Sequence, residues 1–229
     1  MIKKLYVNGD SHVAGAYLDS LYQPDISFAG QLAKRYNLEY INDAKAGGSN
    51  DRIIRITKEY LKNADPSATA VFIVWSTFER TEWFYQNQWI PICGHPGYEP
   101  RWDKKLRELW SQYTDAFWND NNEKSSIFYF SRAIETQYKI KEFSDWLTSK
   151  GFGHLFCHAQ NSFFYKKTGF EIGWNDNIWL FDKPYDNSVT FFNKSLELGH
   201  KSDDWSHFSE TAHKDYAEYI SGEFKKFLF

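Results

Sequence analysis

The sequence predicts an α/β fold, a three-layer α/β/α sandwich with a central, mostly parallel sheet. Short β-rich runs alternate with stretches of helical period along the 229 residues, which is typical of parallel sheets covered by helices on both faces. Residues 70–75 are continuously apolar, as expected of a strand buried on both faces. Polar or glycine-rich loops follow the first three predicted strands. We expect these loops to meet at the carboxyl edge of the sheet, where ligands bind in such folds.

Each element is predicted from its own residues. Runs of β-branched, aromatic or apolar residues predict five strands, at 5–7, 38–41, 70–75, 127–130 and 155–157. Apolar residues at helical spacing predict helices at 26–36, 102–118, 134–147 and 209–227. A further helix begins after Ser49 or Asn50, either of which can cap it, and ends before Asp65-Pro66.

We expect a single domain over residues 1–229, because this length suffices for one sizeable core. Two aromatic-rich insertions, near 80–100 and 159–203, lack a clear period. Aromatic residues make up 20% of the chain, more than a single core can hide. Two interpretations stay open: ordinary packing with normal surface exposure, or an aromatic groove that stacks on sugar rings or bases. The candidates for such a groove are Trp83, Trp89, Trp174 and Trp179.

The charge and the cysteine content limit which classes of partner and which cellular compartment are expected. The net charge is -3 and basic residues are scattered, which argues against nucleic acid or an acidic membrane surface as partner. Cys93 and Cys157 are interpreted as free thiols in a reducing compartment. The apolar run that ends at Val7 is too short for a signal peptide, and no stretch approaches the length of a transmembrane helix. We therefore expect a cytoplasmic protein, and the sequence gives no signal for its oligomeric state.

Two polar motifs near opposite ends of the chain carry the residue types of nucleophilic catalysis. Gly-Asp-Ser-His at residues 9–12 follows the first predicted strand, and Asp-Trp-Ser-His at residues 204–207 precedes the last helix. A serine hydroxyl needs a base to take its proton, and the base needs a group that orients it. We assign Ser11 as nucleophile, His207 as base and Asp204 as the orienting carboxylate. His12 is interpreted as a partly exposed loop residue.

These motifs resemble those of the SGNH, or GDSL-like, hydrolases. The first block of that family matches residues 7–11, the second matches 42–50, and the last matches 204–209. The resemblance spans nearly the whole chain. It implies a flavodoxin-like sandwich and ester hydrolysis through an acyl-enzyme, without a metal or another cofactor. The backbone N–H groups of Ser11 and Gly47 are the expected oxyanion donors, with Gly48 as the alternative to Gly47.

The third block departs from the family pattern. The family has Gly-x-Asn-Asp after its third strand, with the Asn as a further oxyanion donor, whereas residues 75–80 contain no Asn. Thr77 stands roughly where the Asn belongs, and Ser76 or Arg80 are alternatives. Asp10 is also included among the expected substrate-binding residues. Losing one oxyanion donor lowers the rate by about 10²–10³-fold.

We therefore expect a serine esterase that hydrolyses a small acyl ester on a small molecule or a glycan. An O-acetyl group on a carbohydrate is the example that the resemblance and the aromatic content favour. The alternative is a catalytically weak or inactive module of the same fold that binds carbohydrate or serves in assembly. A nucleic-acid binder that stacks bases on aromatic rings is disfavoured by the acidic charge balance. A metal site is not expected, because the Asp and His residues near 200–213 match no known ligand spacing.

Overall fold

A computed structural model describes residues 1–15, 23–92, 103–118, 123–162, 170, 172–204 and 206–229. Cys93 and Trp205 lie outside these ranges, as do parts of the segments 80–100 and 159–203.

A parallel sheet of four strands forms the centre of the described structure, in the order β2-β1-β3-β6. Its strands are β1 (Lys4–Asn8), β2 (Glu39–Asn42), β3 (Thr69–Trp75) and β6 (His154–His158). Val7 lies opposite Asn42 on one side and Phe72 on the other. The chain order changes direction at β1, which makes its carboxyl end the switch point where ligands bind in such sheets.

Helices cover the sheet on both sides. They are α1 (Phe28–Arg35), α2 (Asn50–Leu61), α3 (Lys104–Trp118), α4 (Glu123–Ser149), α5 (Phe191–Glu197) and α6 (Glu210–Leu228). Ser49 caps α2, because its side chain accepts the backbone N–H of Arg52. Ser209 caps α6 in the same way, through the N–H of Ala212. Both caps satisfy backbone donors that a helix otherwise leaves unpaired.

Alternate residues along the strands point to opposite faces of the sheet and pack into two separate hydrophobic cores. Leu5, Val7 and Phe72 pack with α1 and α6 on one face of the sheet. Tyr6 and Val71 point the other way and pack with α2 and α4. The apolar side chains of both layers are removed from water, which is the main favourable contribution to folding. This arrangement confirms the predicted α/β/α sandwich with a parallel sheet.

An antiparallel hairpin occupies the first part of the segment 80–100. It consists of β4 (Thr81–Tyr85) and β5 (Gln88–Ile92). Gln86 and Asn87 form the turn with φ of 49° and 61°, as two-residue hairpin turns require. The hairpin begins directly after the loop at the carboxyl end of β3.

The predicted strand at 127–130 is wrong, since these residues lie within α4. The run Ile-Phe-Tyr-Phe fits either a strand or a helix when judged by composition alone. In the structure, Ile127 is 67% exposed while Ala133 is fully buried. Phe128 packs towards Phe78, beside Ala133, which places the apolar residues on one side of a helix.

The segment 159–203 contributes to the central cores. Trp179, Leu180 and Phe191 are buried, and Trp179 forms an isolated β-bridge with Phe156 of β6. In the part of this segment that the structure describes, there are three short 3-10 helices and α5. None of the helices in the described ranges combines the length and the apolar character needed to cross a bilayer.

Candidate active site

The loops that follow β1 and β2 are hydrogen-bonded to each other at the carboxyl edge of the sheet. The side-chain amide of Asn42 donates to the carbonyl oxygen of Val13 at 2.8 Å. The backbone N–H of Lys45 donates to the carbonyl oxygen of Gly9 at 3.2 Å. These bonds join the loop that contains Ser11 to the loop that contains Gly47.

Asp10 is the centre of a buried hydrogen-bond network in the first loop. One carboxylate oxygen accepts both the backbone N–H and Nδ1 of His12, at 3.1 and 2.9 Å. The other accepts the hydroxyl of Ser76 and a guanidinium N–H of Arg80, both at 3.2 Å. The network therefore joins the loop after β1 to the loop after β3.

The burial and pairing of Asp10 correct its expected role in substrate binding. Its side chain is fully buried, so it does not present a surface to a substrate. Burial alone raises the pKa of this carboxyl, but His12 and Arg80 outweigh it and lower the pKa to about 2. Asp10 thus stays ionised and fixes the residues on either side of it, and Arg80 and Ser76 serve the same network.

His12 connects the first and last sequence motifs. Its Nε2 lies 3.1 Å from the carbonyl oxygen of Ser206, and its ring centroid lies 5.9 Å from that of His207. His12 is only 1% exposed, so its interpretation as a partly exposed loop residue is wrong. Its two ring nitrogens therefore contact one oxygen in each of the two motifs. The fold therefore brings the first and last motifs to the same edge.

The carboxylate beside His207 belongs to Asp203, which corrects the assignment of Asp204. Oδ1 of Asp203 accepts the backbone N–H of His207 at 2.7 Å, and Oδ2 lies 3.4 Å from Nδ1 of its ring. Asp204 is exposed. The reason is a tight turn in which Ser206 has a φ of 67° and the N–H of Asp203 donates to the carbonyl of His207 at 2.9 Å. That turn sets residue 203, rather than residue 204, against the imidazole.

The environment of His207 favours the neutral imidazole that a general base requires. Burial lowers the pKa of His207, and repulsion from His12 lowers it further. Asp203 and Asp10 act in the opposite direction without reversing the shift. The ring is therefore able to accept a proton at neutral pH.

Ser11 lies in the turn after β1 and is 5% exposed. Among the described residues, no hydrogen-bond partner of its hydroxyl is found, His207 included. The residues predicted as nucleophile and base lie on neighbouring loops, and no hydrogen bond joins them in the described structure. Catalytic hydrogen bonds of unliganded enzymes are often long and shorten when substrate binds.

The backbone donors near Ser11 differ in their availability. The N–H of Gly48 donates to the carbonyl of Lys45 at 2.8 Å, so it does not serve as an oxyanion donor in this conformation. A Cβ at Gly48 would lie 3.1 Å from the carbonyl oxygen of Gly9, which explains a glycine at this close approach. Within the described ranges, the N–H groups of Ser11 and Gly47 have no acceptor. Gly47 has a φ of 69°, and the position that a Cβ would occupy is open space.

Two of the residues expected to replace the missing Asn of the third block are held by other groups. The backbone of Ser76 exchanges two hydrogen bonds with the side chain of Asn50, at 2.9 and 3.0 Å. The guanidinium of Arg80 donates to the carboxylate of Asp10 at 3.2 Å and to the hydroxyl of Ser76 at 3.0 Å. The sequence marks Asn50 as a possible helix cap and as the end of the second block, but its contact with Ser76 depends on the fold.

The four tryptophans considered for a groove occupy different environments. Trp179 is 2% exposed and contacts Trp174 with ring centroids 5.2 Å apart. Trp83 packs against Tyr113 at 5.7 Å. Trp89 is 47% exposed. Across the described ranges, no group of three or more metal-ligating side chains is arranged to hold an ion.

Comparison with known proteins gives one family and several solved structures. Residues 17–176 match the model of DUF6071, a family of unknown function, and this range excludes both Ser11 and His207. No curated protein sequence matches the chain.

The structure is similar to that of the psychrotrophic esterase EstA from Pseudoalteromonas sp., solved with monoethylphosphonate as inhibitor. The two chains share 12% identity and a TM-score of 0.51, over 99% of this chain and 98% of the other. A structure described as a lipolytic protein of the G-D-S-L family, from Desulfitobacterium hafniense, has 12% identity and a TM-score of 0.47, over 96% and 99% of the two chains. The first likeness confirms the predicted three-layer α/β/α fold.

Proposed function

We propose that this chain, a member of the DUF6071 family of unknown function, is a serine hydrolase that acts on carboxylic esters. The observation that carries the proposal is the contact of His12 with both motifs. Its Nδ1 is bonded to Asp10, which precedes Ser11, and its Nε2 to the carbonyl of Ser206, which precedes His207. The proposed nucleophile and base are thereby held on adjoining loops.

In the proposed reaction, Ser11 Oγ attacks the ester carbonyl carbon while His207 takes the hydroxyl proton. The N–H groups of Ser11 and Gly47 stabilise the resulting oxyanion. His207 then donates the proton to the leaving alcohol, which produces an acyl-enzyme. Water attacks the acyl group with His207 again as base, and the acid and free Ser11 are released. Asp203 orients the imidazole throughout.

The surroundings of Ser11 support a small acyl group. Ser11 is 5% exposed, so a short acyl chain reaches its hydroxyl with less displacement of neighbouring loops than a long one. An acetyl ester, including an O-acetyl group on a carbohydrate, is the substrate class that we propose.

Hydrolysis of p-nitrophenyl acetate tests the proposal. We expect turnover by the wild type and its loss in Ser11→Ala. Ser67→Ala is a matched control, because Ser67 is exposed and precedes β3 at the opposite edge of the sheet. We expect the control to keep wild-type turnover. Equal rates in Ser11→Ala and the wild type would remove the proposed nucleophile.

A second candidate function is carbohydrate binding with weak or no catalysis. It is favoured by the lack of a Ser11–His207 hydrogen bond within the described residues and by the lack of an Asn at residues 75–80. Glycan-array binding that survives Ser11→Ala, together with no turnover of any ester, would favour this function over hydrolysis.

A further inference from the structure

The β4–β5 hairpin has two faces with different surroundings. On the inner face, Ile90 and Ile92 pack against Leu106 of α3, and Trp83 packs beside them. On the outer face, Phe84 and Trp89 are directly paired across the strands, and their ring centroids are 5.2 Å apart. The inner face anchors the hairpin, whereas the outer face carries two adjoining aromatic rings towards solvent.

Both outer rings are unusually open for side chains of their size. Phe84 is 61% exposed and Trp89 is 47% exposed. Large apolar side chains exposed as a pair, rather than singly, are a frequent sign of a binding surface. We call Phe84 and Trp89 the aromatic platform.

The platform is held in place by a neighbouring ion pair. The guanidinium of Arg55 on α2 makes two hydrogen bonds to Glu82, at 2.7 and 2.8 Å. Its Cζ also lies 4.8 Å from the ring centroid of Trp89, within the range of a cation–π contact. Holding Trp89 in one orientation before binding reduces the entropy that a ligand must remove. The ion pair with Glu82 also neutralises the charge of Arg55 locally.

The size of the platform argues against a protein partner. Two aromatic side chains bury about 150–250 Å² each when fully covered, and roughly half of that is exposed here. A stable protein interface needs about 800 Å² on each side. The platform fits one or two small flat units instead.

Its charge argues against nucleic acid. Binding of single strands combines stacking with a basic groove that follows the phosphates. Arg55 is already paired with Glu82, and the chain carries a net charge of -3. A neutral flat ligand is therefore favoured over a nucleotide chain.

Polar groups at the turn complete the surface. Gln86, Asn87 and Gln88 are exposed beside the platform, and each side-chain amide offers both donors and an acceptor. Sugar hydroxyl groups are matched by such amides, and the C–H face of a pyranose ring is attracted to the negative face of an aromatic ring.

We propose that the platform binds a sugar unit of a neutral polysaccharide, stacked on Trp89 and flanked by Phe84. The site consists of hairpin residues and includes none of the proposed catalytic residues. The proposal does not depend on whether Ser11 is catalytic. It implies that the hairpin anchors the protein to the polysaccharide.

Gel retardation in the presence of soluble xylan, β-glucan and galactomannan tests the site. We expect at least one of these polysaccharides to retard the wild type, and Trp89→Ala to weaken binding about tenfold or more, equivalent to about 1.4 kcal/mol. Phe84→Ala should weaken it as well, and Trp89→Phe should retain part of it. Tyr138→Ala is the matched control, since Tyr138 is 51% exposed and belongs to α4 rather than to the hairpin. Thermal melting verifies that each variant is folded.

Ser11→Ala separates this proposal from the catalytic one, because we expect it to bind polysaccharide like the wild type. The proposal is overturned if no polysaccharide of the panel retards the wild type, or if Trp89→Ala and Phe84→Ala are folded and bind unchanged. Self-association that Trp89→Ala abolishes, or binding to single-stranded DNA that falls with salt, would also overturn it and identify a different occupant.

Discussion

Oδ2 of Asp203 lies 3.4 Å from Nδ1 of His207, and Oδ1 of the same carboxylate accepts the backbone N–H of His207 at 2.7 Å. The neighbouring Asp204 is exposed. In nucleophile–base–carboxylate sites the carboxylate selects the tautomer of the base and stabilises its protonated form. Two adjacent aspartates in this chain therefore have different expected contributions to the reaction.

Asp203→Asn should lower ester hydrolysis by about 10²-fold or more, because the imidazole loses the group that orients it. Asp204→Asn is the matched control, and we expect it to retain wild-type activity. Steady-state rates with p-nitrophenyl acetate measure both. A large loss in Asp204→Asn with little change in Asp203→Asn would restore the assignment made from the motif spacing.

The pH dependence of kcat/KM should report the titration of His207. The base must be neutral, so activity rises with pH through its pKa, and burial together with His12 places that pKa below the ordinary value of 6.5. Since Asp203 raises the pKa of His207, the residual activity of Asp203→Asn should have its acidic inflection at a lower pH than the wild type. An inflection at or above the ordinary value in the wild type would exclude the environment described for His207.

Asp10→Asn should destabilise the fold by about 3–5 kcal/mol, because it removes one partner of a buried ion pair. The folded pKa of Asp10 is lowered from 3.8 to about 2. The stabilisation that the ionised Asp10 contributes is therefore fully present at pH values above the pKa of the unfolded chain, and it is lost as the pH falls through the pKa of the folded protein. Urea unfolding at neutral pH measures the effect, with Asp25→Asn at an exposed position as control. A loss no larger than that of the control would show that the network contributes little.

Acid should destabilise the protein through His213 and His158. Burial lowers the pKa of His213 from 6.5 to about 3 and that of His158 to about 4. The unfolded chain therefore binds more protons between these values, and each residue decreases the free energy of unfolding by about 1.4 kcal/mol per pH unit as pH falls below about 6.

Replacing His213 isolates its contribution to the pH dependence of the free energy of unfolding. Nδ1 of His213 accepts the backbone N–H of Phe28 at 3.2 Å, and the amide oxygen of Asn is able to take its place. We expect His213→Asn to reduce the slope of the unfolding free energy against pH between 6 and 4.5 by about 1.4 kcal/mol per unit. The same slope in variant and wild type would mean that His213 is not buried in its neutral form.

The sequence carried enough information to predict most of the sheet but only part of the site. Strands β1, β3 and β6 are apolar runs, and Ser49 and Ser209 are caps with local signals, so these features depend on nearby residues alone. The strand expected at 127–130 failed because an aromatic run of that length fits two periods.

The details of the site depend on contacts between distant residues. His12 is buried, and its ring is hydrogen-bonded to a residue 194 positions further along the chain. No local sequence pattern indicates such a partner. Asp203 faces His207 because Ser206 adopts a φ of 67°, a conformation that non-glycine residues adopt uncommonly. Motif spacing selected the adjacent aspartate because it contains no information about that turn.

Covalent labelling with an activated fluorophosphonate measures the reactivity of the Ser11 hydroxyl most directly. An activated serine forms a stable phosphonyl adduct, whereas an ordinary serine does not react at a comparable rate. We expect a single adduct by intact mass, mapped to Ser11 by peptide analysis, absent in Ser11→Ala and strongly slowed in His207→Ala. A folded wild type that acquires no adduct, or acquires it at another residue, would contradict the assignment of Ser11 as an activated nucleophile.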